Sequence, residues 1–145
     1  MTTQKPRFGY HFAKLHRLMT ALCKQDLKAL GIQPSQIPFI AELLHCDGPV
    51  TQDQLSAVLD IDKAATARAL DQLERNGFVS RMVNPDNRRQ KLVTATAKAR
   101  AIQGPLHNIL QATSDVFTRN FSQQDIDQML RLLNRMIANA KDASS

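Results

Sequence analysis

The sequence is poor in the residues that mark several common classes of function. Its 145 residues include no tryptophan, one tyrosine and six phenylalanines, so it offers no aromatic platform on which bases of a single-stranded nucleic acid could stack. The two cysteines, Cys23 and Cys46, do not form a Cys-x-x-Cys motif. We therefore expect two free thiols, which is typical of a protein in the reducing cytosol.

Long hydrophobic runs and catalytic motifs are also missing. No stretch approaches about 18 consecutive apolar residues, so no transmembrane helix is expected, and the polar segment Met1–Arg7 does not resemble a signal peptide. The sequence contains no Gly-rich phosphate loop, nucleophile elbow or His-Glu-x-x-His motif. We accordingly expect a cytoplasmic protein that is not an enzyme and binds no metal or other cofactor.

Positive charge, in contrast, is concentrated in one segment. The formal net charge is +6, and the twenty residues from Arg81 to Arg100 hold six arginines and lysines against one acid, Asp86. A local cluster of this kind is the electrostatic feature expected of a protein that binds a polyanion. An ordinary solvated surface could show the same cluster, so its place in the fold matters.

Both ends of the chain have the periodicity of amphipathic helices. Apolar residues recur at steps of four and three over residues 8–22 and again over 102–117 and 126–140. We expect Gly104-Pro105 to kink or weaken the helix that contains it. The middle of the chain is too small to cover these three apolar stripes, so they must pack on each other or on another copy of the chain, which points to dimerisation.

Residues 52–77 have the pattern of a helix-turn-helix. Thr51 and Gln54 form a capping box that predicts the start of a short helix, and Asp62 is a good N-cap for a second helix over residues 63–76. Small and cationic residues occupy the first turns of this second helix, which would let it enter a major groove. An ordinary pair of core helices remains an alternative at this point.

A basic β-hairpin is predicted over residues 79–95. The turn-forming residues 84–87 separate its two strand-like halves. Arg88 and Arg89 lie beside the turn, where an arginine could be inserted into a narrow minor groove. A helical dimerisation or adaptor protein without a DNA role would not need such a hairpin, so the hairpin favours DNA binding.

The helix-turn-helix and the hairpin together predict a set of DNA contacts. Asp86 belongs to this set because, two residues before Arg88, it could hold the guanidinium in a fixed pose. The predicted contacts are Gln52, Lys63, Ala64, Thr66, Ala67, Arg68, Asp86, Arg88, Arg89 and Lys91.

Residues 59–70, 73–79 and 84–89 resemble the corresponding segments of the MarR family of bacterial transcriptional regulators. The resemblance implies a mainly α (α+β) fold with a winged helix-turn-helix lobe and a two-stranded wing. It also implies a triangular homodimer that binds a near-palindromic DNA operator, usually as a repressor. We expect the DNA-binding lobe at residues 35–96 and a helical dimerisation region at 1–34 and 97–145.

Many regulators of this family respond to small aromatic or anionic ligands, so the resemblance also implies an effector cavity. We expect it between the first, second and fifth helices. The expected lining residues are Tyr10, His11, Arg17, Phe39 and Leu106.

Cys23 suggests an alternative, a regulator that senses oxidants through a thiol. Its position toward the end of the first helix does not match the branch of the family that senses peroxide near the start of that helix. A buried, inert thiol is the favoured interpretation.

Overall fold

Helices form most of the chain, and a small antiparallel sheet lies in its middle. The computed structural model describes residues 7–145. The elements are α1 (Phe8–Leu30), a 3₁₀ turn (Pro34–Gln36), α2 (Ile37–His45), β1 (Val50–Thr51), α3 (Gln52–Leu59), α4 (Lys63–Arg75), β2 (Val79–Asn84), β3 (Asn87–Ala95), α5 (Ala97–Ala101), α6 (Gln103–Phe117) and α7 (Gln123–Ser144). The mainly α fold with a winged helix-turn-helix is confirmed.

The predicted helix boundaries in the middle of the chain are confirmed by their capping contacts. Thr51 Oγ1 accepts a hydrogen bond from Gln54 N at 3.0 Å, and Thr51 N donates to Gln54 Oε1 at 2.9 Å. Asp62 Oδ1 accepts from Ala65 N at 2.8 Å and so begins α4. Gly77 follows the end of α4 with a φ of 80°, in the left-handed region where glycine carries little penalty.

The kink predicted at Gly104-Pro105 is present as a complete break between α5 and α6. The ring of Pro105 would collide with the carbonyl group of Ala101, and Pro105 has no N–H to donate. The chain therefore turns at Ile102 and starts a new helix, in whose first turn Pro105 is tolerated.

The sheet has three strands in the order β1-β3-β2, all antiparallel. The predicted hairpin is formed by β2 and β3, with Arg81 opposite Val93 and Met82 opposite Leu92. The third strand, β1, was not predicted because two residues are too short to show alternation. Its pairing of Val50 with Val93 fixes the base of the hairpin, whereas the tip extends without a third strand.

The chain divides into two compact units, one ending at Leu110 and the other beginning at Gln111. In the first unit, side chains from α1 to the first turn of α6 form one hydrophobic core. The fully buried apolar side chains are Leu27, Ile40, Leu55, Leu70, Leu73, Phe78 and Val93. In the second unit, Ser122 and Asp125 form a capping box at the start of α7.

The ring of Phe78 occupies a central place in the first core. Gly31, which ends α1 with a φ of 84°, lies so close that a Cβ atom there would be 3.5 Å from Phe78 Cζ. The ammonium group of Lys98 in α5 lies 4.5 Å from the centre of the same ring. Phe78 itself follows the end of α4, so the ends or first turns of three helices meet at one aromatic side chain.

Two predictions made from the sequence concern the chain as a whole. The functional division into 35–96 and the flanking regions stays a prediction, and residues 1–6 of the region 1–34 lie outside the described residues. Within residues 7–145, no helix is both long and apolar enough to cross a membrane.

Candidate DNA-binding surface

The two helices of the helix-turn-helix are joined by a buried pair of hydroxyl groups. Ser56 Oγ of α3 donates to Thr66 Oγ1 of α4 at 2.8 Å, and Thr66 Oγ1 donates to the carbonyl oxygen of Asp62 at 2.9 Å. Thr66 has no exposed surface. The prediction that Thr66 contacts DNA is therefore wrong: its hydroxyl holds α4 against α3.

The other predicted residues at the start of α4 lie on its outer side. Lys63, Ala64 and Arg68 are exposed, and Ala67 is half-buried. Positions 63, 64, 67 and 68 share one helical face because residues three and four apart are neighbours on a helix. Lys63 Nζ lies 3.6 Å from Asp53 Oδ1, but both side chains are more than half exposed, so this ion pair holds Lys63 only weakly.

The tip of the hairpin presents the predicted basic side chains to solvent. Arg88, Arg89 and Lys91 are all exposed. The turn before them is shaped by asparagine side chains: Asn84 Oδ1 accepts from Asp86 N at 3.0 Å, and Asn87 Oδ1 accepts from Arg89 N at 3.2 Å. Among the described residues no ion pair joins Asp86 to Arg88, so the predicted fixed pose of that guanidinium is not present in the free chain.

A cleft of about 340 Å³ lies where α3, α4 and the hairpin meet. Four of the predicted DNA contacts line it together with Asp53, Asp71, Arg81 and Gln90. Those four are Gln52, Ala67, Arg89 and Lys91. The remaining predicted contacts lie outside this cleft.

Arg81 differs from the other cations of the basic segment because its side chain is only 10% exposed. Its guanidinium donates to the carboxylates of Asp71 and Glu74 in α4 and to the amide oxygen of Gln52 in α3. The hydrogen bonds from Arg81 hold the pKa values of both carboxyl groups below their ordinary values. Arg81 is thus neutralised within the protein and contributes little to the positive surface.

A sequence signal for this cluster exists, although sequence reasoning missed it. Asp71 and Glu74 are three residues apart and so lie on the same face of the predicted helix. Arg81 follows in the first half of the next strand, within reach of that face. The two acids that precede Arg81 therefore indicate that it is not a free cation of the basic segment.

Lys98 is also engaged within the protein. Its Nζ donates to the backbone carbonyl of Asn76 at 2.6 Å, at the end of α4, and it lies over the Phe78 ring. Five of the six cations between residues 81 and 100 are exposed, and of these Lys98 is engaged by Asn76 and Phe78. The structure therefore leaves Arg88, Arg89, Lys91 and Arg100 as the exposed cations without such a contact.

Comparison with known proteins agrees with this geometry. The MarR family model matches residues 40–91, which include both helices of the helix-turn-helix and most of the hairpin. A MarR transcriptional regulator from Methanosarcina mazei Go1 has 26% sequence identity and a TM-score of 0.86, with 94% of this chain and 97% of that chain covered. The chain therefore matches the MarR family model over residues 40–91 and shares the fold of a MarR transcriptional regulator over 94% of its length.

Two further solved structures are similar to this chain. A MarR protein from Peptoclostridium difficile has the same fold, with a TM-score of 0.90 at 21% identity and coverage of 99% of this chain and 93% of that chain. A mutant MarR from E. coli, solved in complex with operator DNA, has 26% identity and a TM-score of 0.79. The match covers 88% of this chain and 91% of that chain.

The five residues predicted to line an effector cavity do not come together in the structure. Phe39 and Leu106 are each 3% exposed and belong to the hydrophobic core, so their assignment to an open cavity is wrong. Tyr10, His11 and Arg17 are exposed along the first half of α1. Tyr10 contacts the ring of His11 and the ammonium group of Lys14, which are its neighbours on the same helix.

A groove of about 700 Å³ lies instead along the second half of α1. His16, Lys24 and Lys28 lie on its α1 side, and none of the described residues that line it is acidic. The opposite side is formed by the 3₁₀ turn and the start of α2. The remaining lining residues are Thr20, Ile32, Gln33, Pro34, Ser35 and Pro38.

The thiol of Cys23 is buried in the core of the first unit. Burial raises its pKa, and the thiol donates a weak hydrogen bond to the carbonyl oxygen of Thr20 at 3.7 Å. An oxidant-sensing cysteine needs an accessible thiolate with a lowered pKa. These features speak against the alternative of a redox sensor at Cys23.

Proposed function

We propose that this MarR-family regulator binds duplex DNA through the outer face of α4 and the tip of the hairpin. The observation that carries the proposal is the exposure of cations on both elements, namely Lys63 and Arg68 on α4 and Arg88 and Arg89 on the hairpin. The operator DNA bound to the related E. coli protein gives independent support.

The two elements would read DNA in different ways. In the major groove, Lys63 and Arg68 can donate to phosphates or to the acceptors of guanine, while the small side chains at 64 and 67 allow close approach. Arg88 would enter the adjacent minor groove, where the negative potential is strongest if the groove is narrow. Arg89, Lys91, Gln52 and Asp86 would stand beside the DNA backbone or shape the wing.

We also propose that the regulator acts as a homodimer. Large apolar side chains on α1, among them Phe8, Leu15 and Leu22, are 47–50% exposed in the single chain. Leu130 and Ile137 of α7 are likewise more than half exposed. A second copy would cover these faces, and its two-fold symmetry would give two half-sites in a near-palindromic operator.

Regulation would follow the family pattern of ligand-responsive repression in the cytoplasm. We place a small anionic ligand in the groove beside His16, Lys24 and Lys28 rather than among the five residues first expected. Salicylate at millimolar levels serves as the probe. It should weaken duplex binding by the wild type and not by the double variant Lys24→Ala/Lys28→Ala. A lack of effect on the wild type's DNA affinity and melting temperature argues against an aromatic acid as the ligand.

The experiment that tests DNA binding is selection of a duplex from a random-sequence pool, followed by a salt titration. Phosphate contacts release counterions, so log K should fall linearly with log salt. A folded protein that enriches no duplex and binds none at low salt would instead fit a helical adaptor.

A further inference from the structure

We propose that Arg81 is a positioning residue that locks the hairpin, α4 and the start of α3 into one DNA-binding surface. The proposal rests on the DNA-binding function proposed above. It assigns Arg81 a role other than contact with DNA, although its sequence position lies inside the basic segment.

The contacts of Arg81 reach all three elements at once. Arg81 lies on β2, and its Nη1 donates to Gln52 Oε1 at 3.0 Å in the first turn of α3. Its Nε and Nη2 donate to Glu74 Oε2 and Oε1 at 3.3 and 3.1 Å, and Nη2 also donates to Asp71. With its donors engaged and its side chain 10% exposed, Arg81 cannot reach a phosphate without breaking these contacts.

The arrangement requires the shape of arginine as well as its charge. A guanidinium is a planar fork that can bind a carboxylate through two parallel hydrogen bonds and still direct a donor to a third group. The ammonium group of lysine is a point donor on a flexible stem and cannot span Glu74, Asp71 and Gln52 together.

Arg81 lies near the base of the hairpin, so a small change of orientation there causes a larger displacement of the tip. Three residues of β2 lie between Arg81 and the turn that begins at Pro85, so the distance from Arg81 to the turn is roughly 13 Å. A rotation of about 10° at the base would move the tip by roughly 2–3 Å, enough to break a hydrogen bond. Arg88 and the outer face of α4 must meet the same duplex, so this displacement would separate the two halves of the DNA-binding surface.

A salt titration can distinguish positioning from direct phosphate contact. The test variant is Arg81→Met/Asp71→Asn, which removes one positive and one negative charge, and the reference variant is Arg88→Ala. Both are compared with the wild type on a duplex that the wild type has selected from a random-sequence pool. A phosphate-contacting cation contributes a slope of about 0.9 in log K against log salt.

If Arg81 acts by positioning, Arg81→Met/Asp71→Asn should bind about tenfold more weakly with an unchanged salt slope. Arg88→Ala should lower both the affinity and the slope. Wild-type affinity of the charge-balanced variant would overturn the proposal, and so would a slope reduced by about one unit, because the latter identifies Arg81 as a phosphate contact.

Two further measurements distinguish the loss of positioning by Arg81 from a folding defect and from a failure of the proposed DNA-binding function. Arg81→Lys keeps the charge but not the fork, so it should remain folded by circular dichroism and still lose affinity severalfold. Amide hydrogen exchange of the hairpin, measured without DNA, should be faster in both Arg81 variants than in the wild type. If the wild type binds no duplex, the proposed DNA-binding function is wrong. If the hairpin amides of the Arg81 variants exchange as slowly as those of the wild type, the positioning role of Arg81 is wrong, whether or not the protein binds DNA.

Discussion

At the scale of single residues, Arg88 carries the sharpest prediction about DNA recognition. Arg88→Ala should weaken duplex binding by about 1–3 kcal/mol per half-site, because an exposed arginine at the tip can enter a groove of strong negative potential. Arg100→Ala removes the same charge from an exposed position in α5 and should weaken duplex binding by less than about 1 kcal/mol. Affinities are measured at one fixed salt concentration, with circular dichroism as the folding control.

The choice of control follows from the structure. Lys98 is unsuitable because it binds the end of α4 and contacts Phe78, so its removal would change stability as well as charge. If Arg88→Ala binds as tightly as Arg100→Ala, the wing makes no groove contact and α4 alone carries recognition.

The buried hydroxyl pair gives a second prediction at this scale. Thr66→Val keeps the shape of the side chain but leaves Ser56 Oγ, in a residue 6% exposed, without its acceptor. The free energy of unfolding should fall by about 1–3 kcal/mol, the cost of a buried polar group left unsatisfied. Urea denaturation measures this loss.

The double variant Ser56→Ala/Thr66→Val is the matched comparison. It removes both partners and should therefore be more stable than Thr66→Val alone. If Thr66→Val is as stable as the wild type, the hydroxyl pair does not hold α3 against α4.

At the scale of elements, the stability that the ion pairs of Arg81 with Asp71 and Glu74 give to the contact between the hairpin and α4 should depend on pH. Arg81 lowers the pKa values of Asp71 and Glu74, so the folded state binds these two protons more weakly than the unfolded state does. The resulting stability is fully present above the unfolded-state pKa values of about 4, and it is lost as the pH falls through the lower folded-state values.

The measurement is urea denaturation between about pH 6 and pH 3. The free energy of unfolding of the wild type should fall more steeply below about pH 4 than that of Arg81→Met, which lacks the cation. Parallel curves for the two proteins would mean that these carboxylates do not couple the hairpin to α4. Because both side chains are almost half exposed, the difference should be small and should shrink further in high salt.

Local chemistry explains which elements could be predicted from the sequence. The caps at Thr51 and Asp62 and the break at Pro105 depend on residues within one helical turn, and the structure confirms all of them. The exposed cations of the hairpin tip follow from a turn that is equally local. These features account for the fold class and for the outline of the candidate DNA-binding surface.

Contacts between distant residues explain what could not be predicted. Thr66 is buried because Ser56 approaches from another helix, and Lys98 is engaged because the end of α4 lies beside α5. The apolar members of the expected effector set, Phe39 and Leu106, were placed by resemblance, but tertiary packing places both in the core. Periodicity identifies a helical face without identifying which neighbour covers it.

At the scale of the whole molecule, the exposed apolar face of α1 predicts that one charged substitution on this face will dissociate the dimer. The wild type should sediment as a dimer at micromolar concentration, and Leu15→Asp should shift it toward monomer because burying an unpaired carboxylate is unfavourable. Val58→Asp is the control, since Val58 is 59% exposed on α3 and does not belong to the apolar face of α1 or α7. A folded wild-type monomer at that concentration would contradict the dimer.

The meeting of three helices at Phe78 has a consequence for how the first unit folds. Gly31, Phe78 and Lys98 are far apart in the sequence, yet each completes its contacts only when the others are in place. Closing these long loops is costly until the shared ring is buried. The helix-turn-helix and the start of α5 should therefore melt together with α1, so that partial unfolding cannot release a DNA-binding lobe that is still intact.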